Sequence, residues 1–288
     1  MKIALIYNKE NEFTTGSYIE KVIKNASIEY AHFWTQNACN IPREFDLYFR
    51  IDHGDYKYDI PEDLHPAVFY VIDTHLKKPY KKIKSQARHY DIVFCAQKDG
   101  ADRLKRELRI DTQWIPLGCD PEVHKKLDTL KIYDIGFVGR DARKFARGKQ
   151  LELLKKKYPV SFIGEADFRK MSEIYSSSRI GFNSSILNDI NMRVFEVMAC
   201  GSFLLTNKIK GNGFDELFAD KKDLVVYKNN KEMLELIEYY LKNEEERKRI
   251  ADNGYQLVIK KHTYSHRVRS MLHYIAFKLE LKFKNLSI

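Results

Sequence analysis

Short apolar segments alternate with amphipathic helical patterns along the first half of the chain. The apolar segments are four to seven residues long and rich in β-branched and aromatic residues, which predicts strands at 2–7, 30–34, 46–51, 67–72, 91–96 and 112–116. Apolar residues recur at helical spacing between several of them, at 17–26, 80–89 and 98–108. Nearly continuous hydrophobic strands separated by helices are typical of a parallel sheet covered on both faces. The first half is therefore predicted to be a doubly wound α/β domain.

The same alternation starts afresh after a turn-rich break at residues 117–121 and a charged stretch to Lys131. A strand over 133–138 runs into a glycine turn and a helix at 144–157, and further strands are predicted at 160–163, 179–183, 202–206 and 223–227. The chain closes with a mostly helical region, 231–281, which we expect to be interrupted near Asn253-Gly254 because glycine suits a helix C-cap. The pattern thus predicts two successive Rossmann-like domains.

Composition excludes several classes of protein. Of 288 residues 44% are hydrophobic and no apolar run approaches the roughly 18 residues that span a bilayer, so we expect no integral membrane segment. The four cysteines stand far apart, with no zinc-ligand spacing, and the start of the chain lacks a cleavage site, which together favour free thiols and a cytoplasmic protein.

Charge is unevenly divided along the chain. Residues 1–125 carry 19 basic and 19 acidic groups, so the whole formal surplus of +10 lies in 126–288. A basic half attracts an anionic partner, although a solvated lysine-rich face is the alternative. The terminal stretch 271–284 alternates apolar and basic residues, which is compatible with contact with DNA, with a membrane surface or with the first domain.

Two loops of the second domain carry candidate anion-binding residues, because ligands of open parallel sheets bind at the carboxyl ends of the strands. Gly139 and Arg140 follow the strand 133–138, and Arg143, Arg147 and Lys149 come soon after. A glycine turn, a helix N-terminus and nearby cations would suit a phosphate or diphosphate; a purely structural turn is the alternative. The chain contains neither a dinucleotide fingerprint nor a P-loop.

The second loop leads into a helix in which Arg193 and Glu196 share a face near the start. Asp189 or Asn191 is expected to cap this helix. An arginine beside a helix N-terminus is electrostatically unfavourable unless an anion joins it. The alternative is an intrahelical ion pair between Arg193 and Glu196.

The segment from Arg193 to Asn207, with its Arg-x-x-Glu and Ala-Cys-Gly residues, resembles the donor-site signature of GT-B glycosyltransferases of the group 1 (GT4-like) retaining type, in particular the CgeB-like spore maturation branch. The ending His262-Thr263-Tyr264-Ser265-His266-Arg267 is similar to that branch's closing motif, and the similarity extends over most of the chain. It implies a GT-B fold: two Rossmann-like domains, 1–125 for the acceptor and 126–262 for the donor, facing across a cleft, with a C-terminal helix, 263–288, packing back on the first.

The resemblance also implies the ligand and the residues that hold it. Glu196 would hold the ribose of a nucleotide sugar such as a UDP- or GDP-sugar, while Arg193, Gly139 and Arg140 would meet its diphosphate. Many members carry a second glutamate eight positions before the first, where this chain has Asn188, next to Asp189.

The nucleotide sugar is a substrate, so no cofactor is expected, and Arg140, Lys149 and Arg193 could neutralise the leaving diphosphate without a metal. The absence of an Asp-x-Asp motif argues against the metal-dependent site of the other major glycosyltransferase fold. Metal independence is therefore a prediction.

The acceptor hydroxyl requires a basic or hydrogen-bonding group, expected in the first domain. Asp73 and His75 follow an apolar strand directly and are the candidate catalytic residues; Asp52 and His53, after another strand, come second. The first loop, Thr15-Gly16-Ser17, could meet donor phosphate or acceptor, and a plain helix cap is the favoured alternative.

Two further functions remain open. A nucleic-acid-binding α/β module without transferase activity would fit the positive charge, and a GT-B regulator that binds its ligand without turnover would fit the missing glutamate at Asn188. An anionic glycan, protein or nucleic acid would suit the charge of the chain as acceptor.

Overall fold

The chain divides into two units. The structure is a computed structural model that describes residues 1–10 and 12–281. The first unit joins Met1–Leu117 to the segment that begins at Tyr264, and the second comprises Gly118–Thr263. Residues 282–288, the end of the predicted basic tail and terminal helix, lie outside the described residues.

The first unit is built on a six-stranded parallel sheet in the order β2-β1-β3-β4-β5-β6. Its strands are β1 Lys2–Ile6, β2 Glu29–Phe33, β3 Leu47–Ile51, β4 Ala67–Val71, β5 Ile92–Cys95 and β6 Asp111–Trp114. Every residue of β3, β4 and β5 is buried, as expected for central strands covered on both faces. The chain order reverses between β1 and β3, which places the topological switch point of this sheet there.

Among the described residues, four α-helices cover this sheet: α1 Thr15–Asn25, α2 Lys77–Gln86, α3 Lys98–Leu108 and, from the far end of the chain, α10 Tyr264–Leu279. The ring of Tyr264 stacks on Tyr18 of α1 at 4.9 Å, and Arg267 donates two hydrogen bonds to the carbonyl of Leu117. The phenol of Tyr274 donates to Asp111 in β6. The last helix therefore packs on the first sheet. Short 3₁₀ helices span Thr35–Asn40 and Ala87–His89.

A buried ion pair lies inside the first unit. Arg50 in β3 is 1% exposed and donates to Asp59, to Tyr90 Oη and to the carbonyl of Tyr58, while its guanidinium stacks 4.4 Å from the Phe69 ring. Burial disfavours the charged guanidinium, but Tyr90 and Asp59 outweigh burial and raise the pKa of Arg50. This contact fixes the loop after β3 to the interior of the sheet.

The second unit is built on a five-stranded parallel sheet in the order β11-β10-β9-β7-β8. The strands are β7 Tyr133–Val138, β8 Phe162–Gly164, β9 Ser178–Asn183, β10 Phe203–Asn207 and β11 Val225–Tyr227. Strand β7 pairs with β8 on one side and with β9 on the other, so the switch point of this sheet lies between β7 and β9. Two parallel α/β sheets with helices confirm the predicted fold class.

The helices of the second unit are α4 Ala146–Lys157, α5 Met171–Ser176, α6 Met192–Ala199, α7 Phe214–Leu217, α8 Asn230–Lys242 and α9 Glu244–Lys261, with a 3₁₀ helix at Phe168–Lys170. The predicted interruption near Asn253-Gly254 is wrong, because α9 runs through both residues. The helical region is instead interrupted at Asn243 and at His262-Thr263. A side chain at Gly254 would meet the carbonyl of Asp223 and the sulfur of Met198, so this glycine serves close packing rather than capping.

We expect Gly254→Ala to destabilise the second unit by about 1–3 kcal/mol, although alanine has the higher helix propensity. The new Cβ would collide with backbone at Asp223, which cannot move as a flexible side chain can. Urea unfolding followed by circular dichroism measures the change. The exposed Gln256 in the same helix provides the control, because Gln256→Ala should leave stability within about 0.5 kcal/mol. A stabilised Gly254→Ala variant would contradict the packing argument.

The four cysteines are free thiols; Cys39 is exposed and Cys95, Cys119 and Cys200 are buried. No helix within 1–10 and 12–281 is long and apolar enough to cross a membrane.

Candidate functional site

The switch point of the second sheet is where the candidate anion-binding residues meet. The carboxyl ends of β7 and β9 lie side by side there, and α6 begins a short loop after β9. Open parallel sheets bind ligands in this position because the loops on either side diverge and leave a crevice. The residues at these strand ends therefore define the candidate site.

Arg193, in the first turn of α6, extends its side chain across the ends of both strands. Its Nε donates to the carbonyl of Val138 at 3.0 Å, and its Nη1 donates to Asn183 Oδ1 at 3.1 Å. The guanidinium also stacks 4.4 Å from the Phe137 ring. None of these partners is a carboxylate, so the contacts fix the orientation of the charge without neutralising it.

Gly139 leaves room for this guanidinium. Its φ of +138° is a conformation that side chains with a Cβ rarely adopt, and a Cβ there would collide with Arg193 Nη2. The glycine turn predicted from the sequence therefore exists, and it admits an arginine side chain as well as shaping the backbone.

A second cation, Arg147 of α4, lies close to Arg193. Its Nε donates to the carbonyl of Ser184 at 2.7 Å. Burial, followed by repulsion from Arg193, lowers the pKa of Arg147 to about 10, although Asp189 partly offsets both. Two arginines close enough to repel each other are stabilised when an anion binds both. The arrangement therefore suits a diphosphate or another compact anion.

Asn183 couples Arg193 to a buried polar network. It is fully buried, accepts from Arg193 and donates to Thr206 Oγ1 and Ser185 Oγ. Ser185 Oγ also accepts from the side chain of Asn191, which occupies the N-cap position of α6 but makes no capping hydrogen bond. Asn191 thus supplies no side-chain cap to α6, and the partial positive charge of the helix start adds to that of the arginines.

Glu196 does not pair with Arg193, so the intrahelical ion pair is not formed. Its side chain is 7% exposed and has Oε1 3.5 Å from His124 Nε2. The other ring nitrogen of His124, Nδ1, accepts from the backbone N–H of Asp120 at 3.1 Å. Because Nδ1 accepts this bond, a singly protonated ring carries its proton on Nε2, the nitrogen nearer to the Glu196 carboxylate. His124 was missed by sequence reasoning, because no spacing relates it to Glu196, 72 positions away.

Asn188 and Asp189 hold the loop between β9 and α6. Asn188 adopts a left-handed φ of +61°. Its side-chain oxygen accepts from the N–H of Lys210, and its backbone carbonyl accepts from Asn212 Nδ2. Asp189 accepts from the N–H of Ile186 at 3.0 Å. Both side chains therefore organise the backbone beside the arginines, and a direct ligand contact for either stays a prediction.

Arg140 and Lys149 are exposed. Within the described parts of the chain, neither side chain makes a hydrogen bond or an ion pair. It is Arg147, not Lys149, that the fold brings beside Arg193. A role of Arg140 and Lys149 in donor binding stays a prediction.

Asp52 and His53 directly follow β3 in the first unit, and Asp52 links the end of that strand to the end of β4. Its buried carboxylate accepts from the N–H groups of Gly54 and Ile72 and from Tyr56 Oη, all within 2.9 Å. His53 contacts Thr35 Oγ1 at 3.5 Å and the carbonyl of Ile51. Asp52 is thus engaged in positioning the loops around it.

Asp73 and His75 follow β4, at the same edge of the sheet as Asp52, and both are half-buried. Burial and the carboxylates of Asp52 and Asp73 raise the pKa of Tyr56 well above its usual value, which places Asp73 near that phenol. Thr74, between Asp73 and His75 in the sequence, is buried against Cys95 and leaves no space for a side chain at Gly100. The fold thus gathers Asp52, Tyr56 and Asp73 at one strand edge.

Gly16 and Ser17 lie in the first turn of α1. The ring of Tyr7 packs against Gly16 so closely that no Cβ would fit, and the N–H of Ser17 donates to the N-cap residue Thr14. These contacts support the helix-capping alternative; contact with a ligand stays a prediction.

Comparison with protein families and solved structures agrees with this geometry. The family model described as glycosyl transferase-like matches residues 124–273, slightly more than half of the chain. The comparison with curated proteins found no match.

Several solved structures share the fold over almost the whole chain. Sucrose-phosphate synthase from Thermosynechococcus elongatus has a TM-score of 0.68 at 10% identity, covering 97% of this chain and 99% of that one. HepE from Anabaena in complex with UDP and glucose has a TM-score of 0.66 at 12% identity, covering 96% and 100%. A glycosyltransferase from Rickettsia africae has a TM-score of 0.65 at 11% identity, covering 98% and 99%.

At these identities the similarity establishes the fold, which is that of GT-B glycosyltransferases. The family match covers the part of the chain that contains Arg147, Arg193, Glu196 and His124. The chain therefore belongs to the glycosyl transferase-like family.

Proposed function

We propose that this protein transfers a sugar from a nucleotide-sugar donor to an acceptor hydroxyl. The observation that carries the proposal is that Arg147 and Arg193 donate to the adjacent residues Ser184 and Asn183 at the switch point of the second sheet, and neither forms an ion pair among the described residues. A glycosyl transferase-like chain needs a site for the diphosphate of its donor, and this pair has the charge and the position for it.

The proposed donor is a UDP-sugar. HepE, which shares the fold, was solved with UDP and also with UDP-glucose. Glu196 would accept hydrogen bonds from the ribose hydroxyls, and its Oε1 lies 3.5 Å from His124 Nε2. Because a carboxylate accepts two hydrogen bonds from adjacent hydroxyls, it suits a ribose better than a deoxyribose.

The proposed reaction keeps the anomeric configuration and needs no metal. Transfer passes through an oxocarbenium-like state while negative charge grows on the leaving diphosphate. Arg147, Arg193 and the N-terminal end of α6 would stabilise that charge. Retention and membership of the CgeB-like branch rest on the resemblance of the segment from Arg193 to Asn207.

The experiment is calorimetric titration of the full chain with UDP, UDP-glucose and GDP in the presence of EDTA. UDP binding that EDTA leaves unchanged, together with slow release of glucose from UDP-glucose, would support a metal-independent transferase. Absence of binding by every nucleotide would reject the proposal. Binding without any sugar release would instead favour a regulator. Asn188 supports that alternative, because its side chain holds the backbone of Lys210 at the position where the resemblance implies a glutamate.

Gly139→Ala tests whether the turn must admit Arg193. We expect UDP affinity to fall at least about tenfold, because strain at a positive φ adds to the displacement of the guanidinium. Gly164→Ala is the matched control: Gly164 ends β8, accepts from the N–H of Gly139, and a Cβ there would contact nothing within 4 Å. Equal affinities of the two variants would contradict this role of Gly139.

Asp73→Asn tests the proposed catalytic group of the first unit. We expect turnover to fall by about 10²–10³-fold while UDP affinity changes less than about twofold, since the carboxylate would assist the acceptor and not hold the donor. Steady-state rates and calorimetry separate the two effects. Asp55→Asn, on the nearby loop, is the control. Full activity of Asp73→Asn would remove Asp73 from the mechanism, and His75→Gln would then be the next variant.

A further inference from the structure

Most of the exposed side chains of helix α2 are basic. The helix Lys77–Gln86 contains five lysines and no acidic residue. Tyr80, Ile83 and Ala87 are buried against the unit, whereas Lys77, Lys78, Lys81, Lys82 and, just after the helix, Arg88 are exposed. We call these five exposed cations the α2 basic face.

The α2 basic face has no internal counter-charge. The fifth lysine of the helix, Lys84, lies outside this face and forms a salt bridge with Glu107 of α3 at 2.9 Å. Across the part of the chain that the structure describes, none of the five residues of the face has a carboxylate within salt-bridge distance. Neighbouring α3 differs, because its four basic residues are interspersed with Asp99, Asp102 and Glu107. The neutral balance of residues 1–125 therefore conceals a strong local segregation of charge.

We propose that the α2 basic face binds the anionic headgroups of a lipid surface. A ten-residue helix presents this face over about 15 Å, too long and too convex to enclose a small anion. Four of the five cations are lysines, whose compact charges lack the planar fork that recognises an individual phosphate. An extended plane with many phosphates is the complementary partner, and each lysine near such a surface adds to the attraction.

The loop beside the helix supports a lipid surface over a soluble polyanion. Gln86 Nε2 donates to the carbonyls of Tyr56 and Tyr58 at 3.2 Å, which holds this loop against the end of α2. Tyr58 is 37% exposed, and Lys57 lies 4.9 Å above its ring. Exposed tyrosine beside lysine is favourable at a headgroup boundary, where the ring is apolar and the hydroxyl is hydrated. Surface binding of this kind does not depend on the proposed transferase activity.

The test is co-sedimentation of the full chain with vesicles of phosphatidylcholine containing 30% phosphatidylglycerol, an acidic fraction of roughly physiological order. We expect binding at low salt, release at high salt, and none to phosphatidylcholine alone. The variant Lys77→Gln, Lys78→Gln, Lys81→Gln, Lys82→Gln should lose at least about 50-fold in partitioning.

A second variant controls for net charge. Lys155→Gln, Lys156→Gln, Lys222→Gln, Lys260→Gln removes the same charge from exposed positions of the second unit and should keep most of the binding. Both variants should bind UDP as the parent does, which shows that each is folded and separates this inference from the proposed function. Equal losses in the two variants, or binding of the α2 basic face to single-stranded RNA but not to vesicles, would overturn it.

Discussion

Replacing Arg193 with alanine should weaken UDP binding about 100-fold. Hydrogen bonds between an ionised donor and acceptor contribute roughly 1.5–3 kcal/mol each, and 2.7 kcal/mol corresponds to a factor of about 100. Arg193→Lys should recover only part of this loss, because an ammonium cannot donate the parallel pair of bonds that a guanidinium can. Calorimetric titration with UDP measures both variants.

The matched control is Arg143→Ala. Arg143 follows the same glycine turn, but its side chain is exposed and paired with Asp141 at 2.8 Å. Its loss should change UDP affinity less than about twofold. Because Arg193 also bonds Val138 and the buried Asn183, its removal should lower the melting temperature slightly, so affinity is compared only below the transition. A folded Arg193→Ala variant with unchanged UDP affinity would contradict the donor-site assignment.

Asp59→Asn should destabilise the first unit by about 3–5 kcal/mol. The Asp59 carboxylate accepts from Arg50, from Tyr90 Oη and from the N–H of Ile60. Removing its charge would leave the Arg50 guanidinium, 1% exposed, without a counter-ion. Breaking a buried pair at one partner costs far more than the pair itself contributes, because the remaining charge is desolvated and uncompensated.

Tryptophan fluorescence isolates this effect. The chain has two tryptophans, Trp34 and Trp114, and both belong to the first unit, so urea unfolding followed at their emission reports on that unit. Asp63→Asn is the control, because Asp63 and its partner Arg43 are largely exposed. Its cost should be below about 1 kcal/mol. Similar midpoints for Asp59→Asn and Asp63→Asn would show that the buried pair contributes little.

Much of the fold could be predicted from the sequence, because central parallel strands require continuous apolar runs. The segments predicted at 133–138 and 98–108 coincide with β7 and α3. Gly254 was misassigned since a glycine that ends a helix and one that admits a neighbouring backbone have the same local pattern; only the contact with Asp223 distinguishes them.

The candidate site was predictable in part. Spacing within one helix identified Arg193 and Glu196, and the glycine turn identified Gly139. The separation of Arg193 from Glu196, and the pairing of Glu196 with His124, depend on contacts between segments distant in sequence. The charge of α2 was hidden for the opposite reason: averaging over residues 1–125 cancelled it.

The central claim is that the second sheet holds the diphosphate of a nucleotide sugar where β7 and β9 end. A crystal structure of the protein with UDP tests it directly. We expect the diphosphate oxygens within hydrogen-bond distance of the Arg193 and Arg147 guanidinium groups, beside Gly139, and the ribose at Glu196. UDP bound away from these strand ends, with both arginines unoccupied, would contradict the account.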